Sequence, residues 1–146
     1  MKKRTLYIIA AVAATAFIFA NSLKTAAVSD ASSNTVIEYL ECILTFLNIK
    51  IPPEKLVFPI RKAAHFTEFF IQGALLAGCF KGKYQGRIIN ILFFGLLTAC
   101  TDEFIQSFVP GRGSLVSDVF IDFAGTCTAT LFMGLFKMRR KKKHVK

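Results

Sequence analysis

Apolar residues along the chain gather into four long runs separated by short polar breaks. The first run, "TLYIIAAVAATAFIFANSL" over 5–23, follows Lys2, Lys3 and Arg4. A basic flank before an apolar core suits a signal peptide or a first membrane span. This core is long for a signal, and Ile18 stands where a cleavage site before Asn21 would want a small residue, so an uncleaved helix is expected. Further spans are expected over about 61–80, 88–109 and 115–136, each near the ~20 residues that cross the apolar core of a bilayer. Between the first two spans, a stretch at 24–35 rich in Ser, Ala and Thr precedes "TVIEYLECILTFLNI". Thr35 and Glu38 have capping-box spacing. Val36, Ile37, Leu40, Ile43, Leu44 and Leu47 fall on one helical face, opposite Asn34, Glu38, Glu41, Thr45 and Asn48. The pattern predicts an amphipathic helix from Thr35, too short and polar to span, that lies in the membrane interface or roofs the bundle. Pro52, Pro53 and Pro59 predict irregular chain through "IPPEKLVFPI". Pro110 and Gly111 have the order of a type II turn, which makes the last two spans an antiparallel hairpin. The expected fold class is all-α: a single domain over 1–146, an integral membrane four-helix bundle with an additional amphipathic helix in the extracellular loop.

Composition agrees. Of 146 residues 53% are hydrophobic, sixteen are Phe and none is Trp, which is awkward for a water-soluble globule. Net charge is +10, and thirteen of the nineteen Lys and Arg lie at the amino terminus, in "KGKYQGR" (Lys81, Lys83, Arg87) or in the tail at 137–146. Basic residues stay on the cytoplasmic side, so both termini are expected there. The tail adjoins a span and lacks interleaved aromatics, so it reads as an anchor to the anionic lipid bilayer and not as a nucleic-acid site. Cys42, Cys79, Cys100 and Cys127 have no CxxC spacing, which indicates neither a disulfide framework nor a thiolate zinc site.

Polar residues within the spans form stripes. At 100° per residue, Arg61, His65, Glu68 and Gln72 share one face of the second span. Thr98, Asp102 and Gln106, with Glu103 beside them, share a face of the third, and Ser114, Asp118, Asp122 and Gly125 a face of the fourth. Counted from Pro110, Glu103 and Asp118 are both roughly 10–12 Å along their helices, nearly level. A charge at the centre of a span costs about 2.5–3.5 kcal/mol even on a lenient scale, so these acids must face one another, basic partners or water. Five carboxylates (Glu68, Asp102, Glu103, Asp118, Asp122) meet three fixed cations (Arg61, Lys62, Arg112). A negative surplus remains even with His65 protonated. A shared proton, a divalent cation or a cationic ligand group would balance it. An ion-pair network holding three helices together is the plainer account, but an excess of one sign suits a pocket better than a staple.

"RKAAHFTEFF" followed by "TDEFIQSFVPGRGSLVSDVFIDFAG" resembles the VanZ-like family of bacterial membrane proteins. The likeness runs from about Asn21 onward and rests on Arg61, Lys62, His65, Glu68, Asp102, Glu103, Gln106, Pro110, Gly111, Arg112, Asp118 and Gly125. Asp122 departs from it, standing where the family usually has Asn. The resemblance implies a four-span protein of the bacterial cell membrane, whose namesake lowers susceptibility to the glycopeptide teicoplanin; it implies no reaction.

Three functions fit these residues. The leading one is an outward-facing pocket of Arg61, His65, Glu68, Asp102, Glu103, Gln106, Arg112, Asp118 and Asp122 that binds a lipid-linked cell-wall precursor, another lipid component or a glycopeptide. The second is an intramembrane enzyme acting on a lipid headgroup, with His65 or Glu68 as base and carboxylates holding a divalent cation. Its spacing matches no diagnostic motif, so binding leads over catalysis. The third is a proton-coupled transporter through His65, Glu68 and Asp102. The apolar inner halves "GALLAGCF" and "ATLFMGLF" offer that path no continuation, and four helices are few for alternating access without a homo-oligomer.

Overall fold

A computed structural model describes residues 2–81 and 84–143. It comprises α1 (Lys3–Ser22), α2 (Ala26–Phe46), α3 (Glu54–Cys79), α4 (Tyr84–Gln106) and α5 (Val116–Lys143), with no strand among the described residues. Lys83 and Lys146, which belong to the basic segments, lie outside them. By length and composition three helices are long and apolar enough to cross a membrane: Lys3–Ser22, Gln85–Gln106 and Val116–Phe136. The remaining expected span falls within α3, whose 26 residues include Arg61, Lys62, His65, Glu68 and Gln72. Outward side chains such as Val12, Phe93, Phe120 and Leu131 are all more than half exposed. Apolar surface on that scale calls for a non-aqueous neighbour.

α3 is the central element, packed against each of the other four helices. Around it α1 meets α4, and α4 meets α5. The α3–α5 contact is close because its residues are small. A side chain at Gly125 would run into the backbone of Phe66 and Phe70, and one at Gly73 would crowd Thr126 and Ala129. Small residues at a crossing let helix backbones approach, which is where packing energy between membrane helices comes from. Ile18, Phe69 and Ala99 form a buried cluster where α1, α3 and α4 meet. At the opposite end Arg4 Nε donates to the carbonyl of Cys79 (3.0 Å), joining the start of α1 to the end of α3.

Two expectations are corrected. α2 begins at Ala26, nine residues before Thr35, so the capping-box pair lies inside a helix. The Ala-rich start favours helix, Ser33 Oγ donates back to Ser29 O (3.1 Å), and Asp30 pairs with Arg61 of α3 (3.3 Å). Docking therefore decides what local composition leaves neutral. α2 ends where expected, with Asn48 at φ 57. Ile49 N donates to Leu44 O and Asn48 N to Thr45 O, a Schellman closure in which Asn tolerates the left-handed conformation. The second correction concerns "IPPEKLVFPI", which is helical from Glu54. Pro53 caps α3 and Pro59 lies inside it, in the second turn. Pro59 withdraws only the donor for the Lys55 carbonyl, and both residues are exposed. The hairpin turn has the expected order: Arg112 N donates to Val109 O (3.1 Å) across Pro110 and Gly111, with Gly111 at φ 77.

Candidate functional site

The polar stripes meet at the end of the bundle formed by the hairpin. Successive turns of α3 carry Arg61 and Lys62, then His65, then Glu68, then Gln72, and each finds a different partner. Arg61 pairs with Asp30, and Lys62 Nζ pairs with Asp118 Oδ1 at 2.5 Å while lying over the Phe58 ring. Glu103, expected to share a level with Asp118, accepts from the backbone N of Leu115 (3.0 Å) and so braces the hairpin from within. Glu68 Oε1 accepts from Asn21 Nδ2 (2.7 Å), and Asn21 Oδ1 accepts from Lys24 (2.8 Å).

Deeper, His65 stands between two fully buried carboxylates. Its Nδ1 is 3.5 Å from Asp122 Oδ1 and 3.9 Å from Asp102 Oδ2. Asp102 is firmly held: Ser22 Oγ donates to one oxygen and Gln106 Nε2 to the other (2.7 Å). Among the described residues neither oxygen of Asp122 has a hydrogen-bond partner. One ligand atom from each of His65, Asp102 and Asp122 can be chosen so that all lie within 4.8 Å of one another. This arrangement can share a proton or hold a cation. The basic residues that could have neutralised it are engaged elsewhere, so the surplus expected from the charge count is concentrated here.

Beyond the triad, Gln72 Nε2 donates to Thr15 Oγ1 (2.8 Å) and Thr98 Oγ1 (3.0 Å), clasping α1, α3 and α4. Toward the surface, a cavity of about 300 Å³ opens between α1, α2 and α3. Its wall includes Asn21, Lys24, Arg61, His65, Glu68 and Arg112, with Ser29, Ser33 and Val36 of α2 above. Arg112 Nη2 donates to the carbonyl of Asn21 (3.3 Å), and its buried Nε has no hydrogen-bond partner among the described residues. Burial, and then the neighbouring Arg61, lower the Arg112 pKa from the usual arginine value; Asp102, Glu103 and Asp30 offset this only in part.

Of the nine residues in the expected pocket, Arg61, His65, Glu68 and Arg112 line the cavity. Asp102 and Asp122 lie behind His65, and Gln106 supports Asp102. Asp118 and Glu103 serve the ion pair with α3 and the turn. Asn21, Ser22 and Asp30 complete the network, although the sequence did not place them in the pocket. The signal for the first two was their place: the polar pair closing the first apolar run.

A family model described as VanZ/LLP1 matches residues 6–137. The chain belongs to the VanZ/LLP1 family. No curated protein and no solved structure matches it. Family membership together with three apolar helices of spanning length makes this a membrane protein.

Proposed function

We propose that this VanZ/LLP1 member is a four-span protein of the bacterial cell envelope whose polar cavity faces outward. It takes in the phosphate-bearing headgroup of a lipid or lipid-linked cell-wall component. One observation carries the reading: on the cavity wall Lys24, Arg61 and Arg112 outnumber the single acid, Glu68. Arg112 keeps an unpartnered buried Nε, and guanidinium groups recognise phosphate oxygens with paired donors. The cavity opens beside the hairpin turn, near a bilayer headgroup layer if α4 and α5 span. α2 above it supplies hydroxyls from Ser29 and Ser33. Sequestering such a component is one physical route by which a small membrane protein would lower susceptibility to teicoplanin.

The test is lipid selectivity of the purified protein. In native mass spectrometry with equal phosphatidylglycerol and phosphatidylcholine, the chain should retain the anionic lipid preferentially. Arg112→Gln and Arg61→Gln should each lose a charge-assisted contact worth about 1.5–3 kcal/mol, a roughly ten-fold or greater fall in preference. Equal retention by wild type and both variants would sink the reading. In cells, Arg112→Ala at normal membrane levels should raise teicoplanin susceptibility if headgroup binding underlies protection.

A further inference from the structure

Three helices place His65, Asp102 and Asp122 around one point, and the fixed cations nearest to it among the described residues are engaged elsewhere. Lys62 is paired with Asp118 and Arg61 with Asp30, while Arg112 donates to a backbone carbonyl. Asp102 and Asp122 are both 0% exposed. Asp102 is served by two donors, whereas among the described residues neither Asp122 oxygen has a hydrogen bond, and Asp122 relies on the 3.5 Å approach of His65 Nδ1. A buried ionised carboxylate without a hydrogen bond is among the most costly groups a protein can hold, more so at membrane depth. His65 cannot neutralise two carboxylates alone.

We propose that His65, Asp102 and Asp122 bind a divalent transition-metal cation of the Mn2+ or Zn2+ class, reached through the cavity that His65 lines. The donor set decides the class. One imidazole nitrogen and two carboxylates suit Mn2+ or Zn2+, whereas Ca2+ takes six to eight oxygens. Charge closes as well, because a doubly charged ion balances two carboxylates beside a neutral His65. The ligand atoms lie 3.5 to 4.8 Å apart, so small inward side-chain shifts would bring all three to coordination distances of about 2.0–2.3 Å. Asp102 already has the support that metal-ligating carboxylates receive, with Ser22 and Gln106 fixing its orientation. The entry path runs past His65, which is on the cavity wall, while the two acids are sealed behind it. This site does not depend on what the cavity binds.

The experiment uses the full chain purified in detergent, stripped with a chelator and dialysed against MnCl2 or ZnCl2. Bound metal is measured by plasma mass spectrometry alongside the thermal unfolding midpoint. Wild type should retain one ion per chain and unfold at a higher temperature with metal than without. Asp122→Asn and His65→Gln should lose the bound ion and the metal-dependent shift, whereas Glu38→Gln, an exposed change on α2, should keep both. No retained metal in wild type, or equal retention by Asp122→Asn, overturns the proposal. Should the variants not fold, wild type alone decides. Stoichiometric Mn2+ should show nitrogen hyperfine coupling from one imidazole in pulsed electron paramagnetic resonance, and its absence is the overturning result.

Discussion

Gly125 and Gly86 are both helical glycines, yet they carry opposite predictions. A Cβ at Gly125 would meet backbone atoms of α3, which cannot rotate aside, whereas one at Gly86 meets nothing within 4 Å among the described residues. Gly125→Ala should therefore destabilise by about 1–3 kcal/mol through overpacking, while Gly86→Ala should stabilise by roughly 0.5–1 kcal/mol through the entropy of the unfolded chain. Thermal unfolding in detergent reads both, and a neutral Gly125→Ala would refute the close crossing. Gln72 behaves less obviously. It donates to Thr15 and Thr98, but those hydroxyls already donate to Ala11 O and Phe94 O, and its own Oε1 is buried without a partner. Gln72→Met should cost no more than about 1 kcal/mol, the usual scale for polar contacts between membrane helices. Gln72→Glu should be far worse, because it buries a charge whose hydrogen-bond neighbours, Thr15 and Thr98, are neutral hydroxyls. At this scale the site was legible as stripes of polar residues, since helical periodicity shows which positions share a face. Partner choice was not: Glu103 and Asp118 are expected at one level by counting from Pro110, yet one is taken by the Leu115 amide and the other by Lys62. Sequence spacing cannot show which lone pair a neighbouring donor reaches.

α2 presents its apolar residues in two directions. Ile37 is buried, whereas Val36, Tyr39, Ile43, Phe46 and Leu47 are mostly exposed and recur at helical spacing as one stripe. An exposed apolar stripe on a helix docked beside spanning helices has a physical use in the bilayer interface, where it buries against lipid. The chain has no Trp, so Tyr39→Trp gives a single reporter. Its emission should be blue-shifted in proteoliposomes and quenched by brominated lipids more strongly than by aqueous iodide. Stronger quenching by iodide would place the stripe in water. The apolar runs showed where α1, α4 and α5 lie, because membrane-length hydrophobic segments leave few alternatives. The start of α2 and the helical course through Pro59 were hidden for a common reason. Both depend on tertiary contacts: Asp30 on Arg61 for the first, and the packing of all four other helices on α3 for the second.

Across the whole molecule the charges divide by end. Arg4 and Arg87 stand at the end where α1 starts, α3 finishes and α4 starts, and the basic continuation of α5 follows its span. The acids lie in α2 or in the hairpin-proximal parts of α3, α4 and α5. Basic residues near span ends resist translocation, while acids contribute little. The basic end is therefore predicted to be cytoplasmic, with α2 and the cavity mouth outside. Native cysteines make this testable without redesign. Cys42 is exposed on α2, Cys79 is buried, and Cys100 is exposed on the flank of α4, where lipid would shield it from an aqueous reagent. A membrane-impermeant maleimide applied to intact cells should label the protein once, and Cys42→Ser should abolish that labelling. Cys100→Ser should leave it unchanged, because a charged aqueous reagent does not reach a thiol that faces hydrocarbon. Labelling of Cys42 only after lysis would reverse the orientation, and with it the side from which any headgroup enters the cavity lined by Arg61 and Arg112.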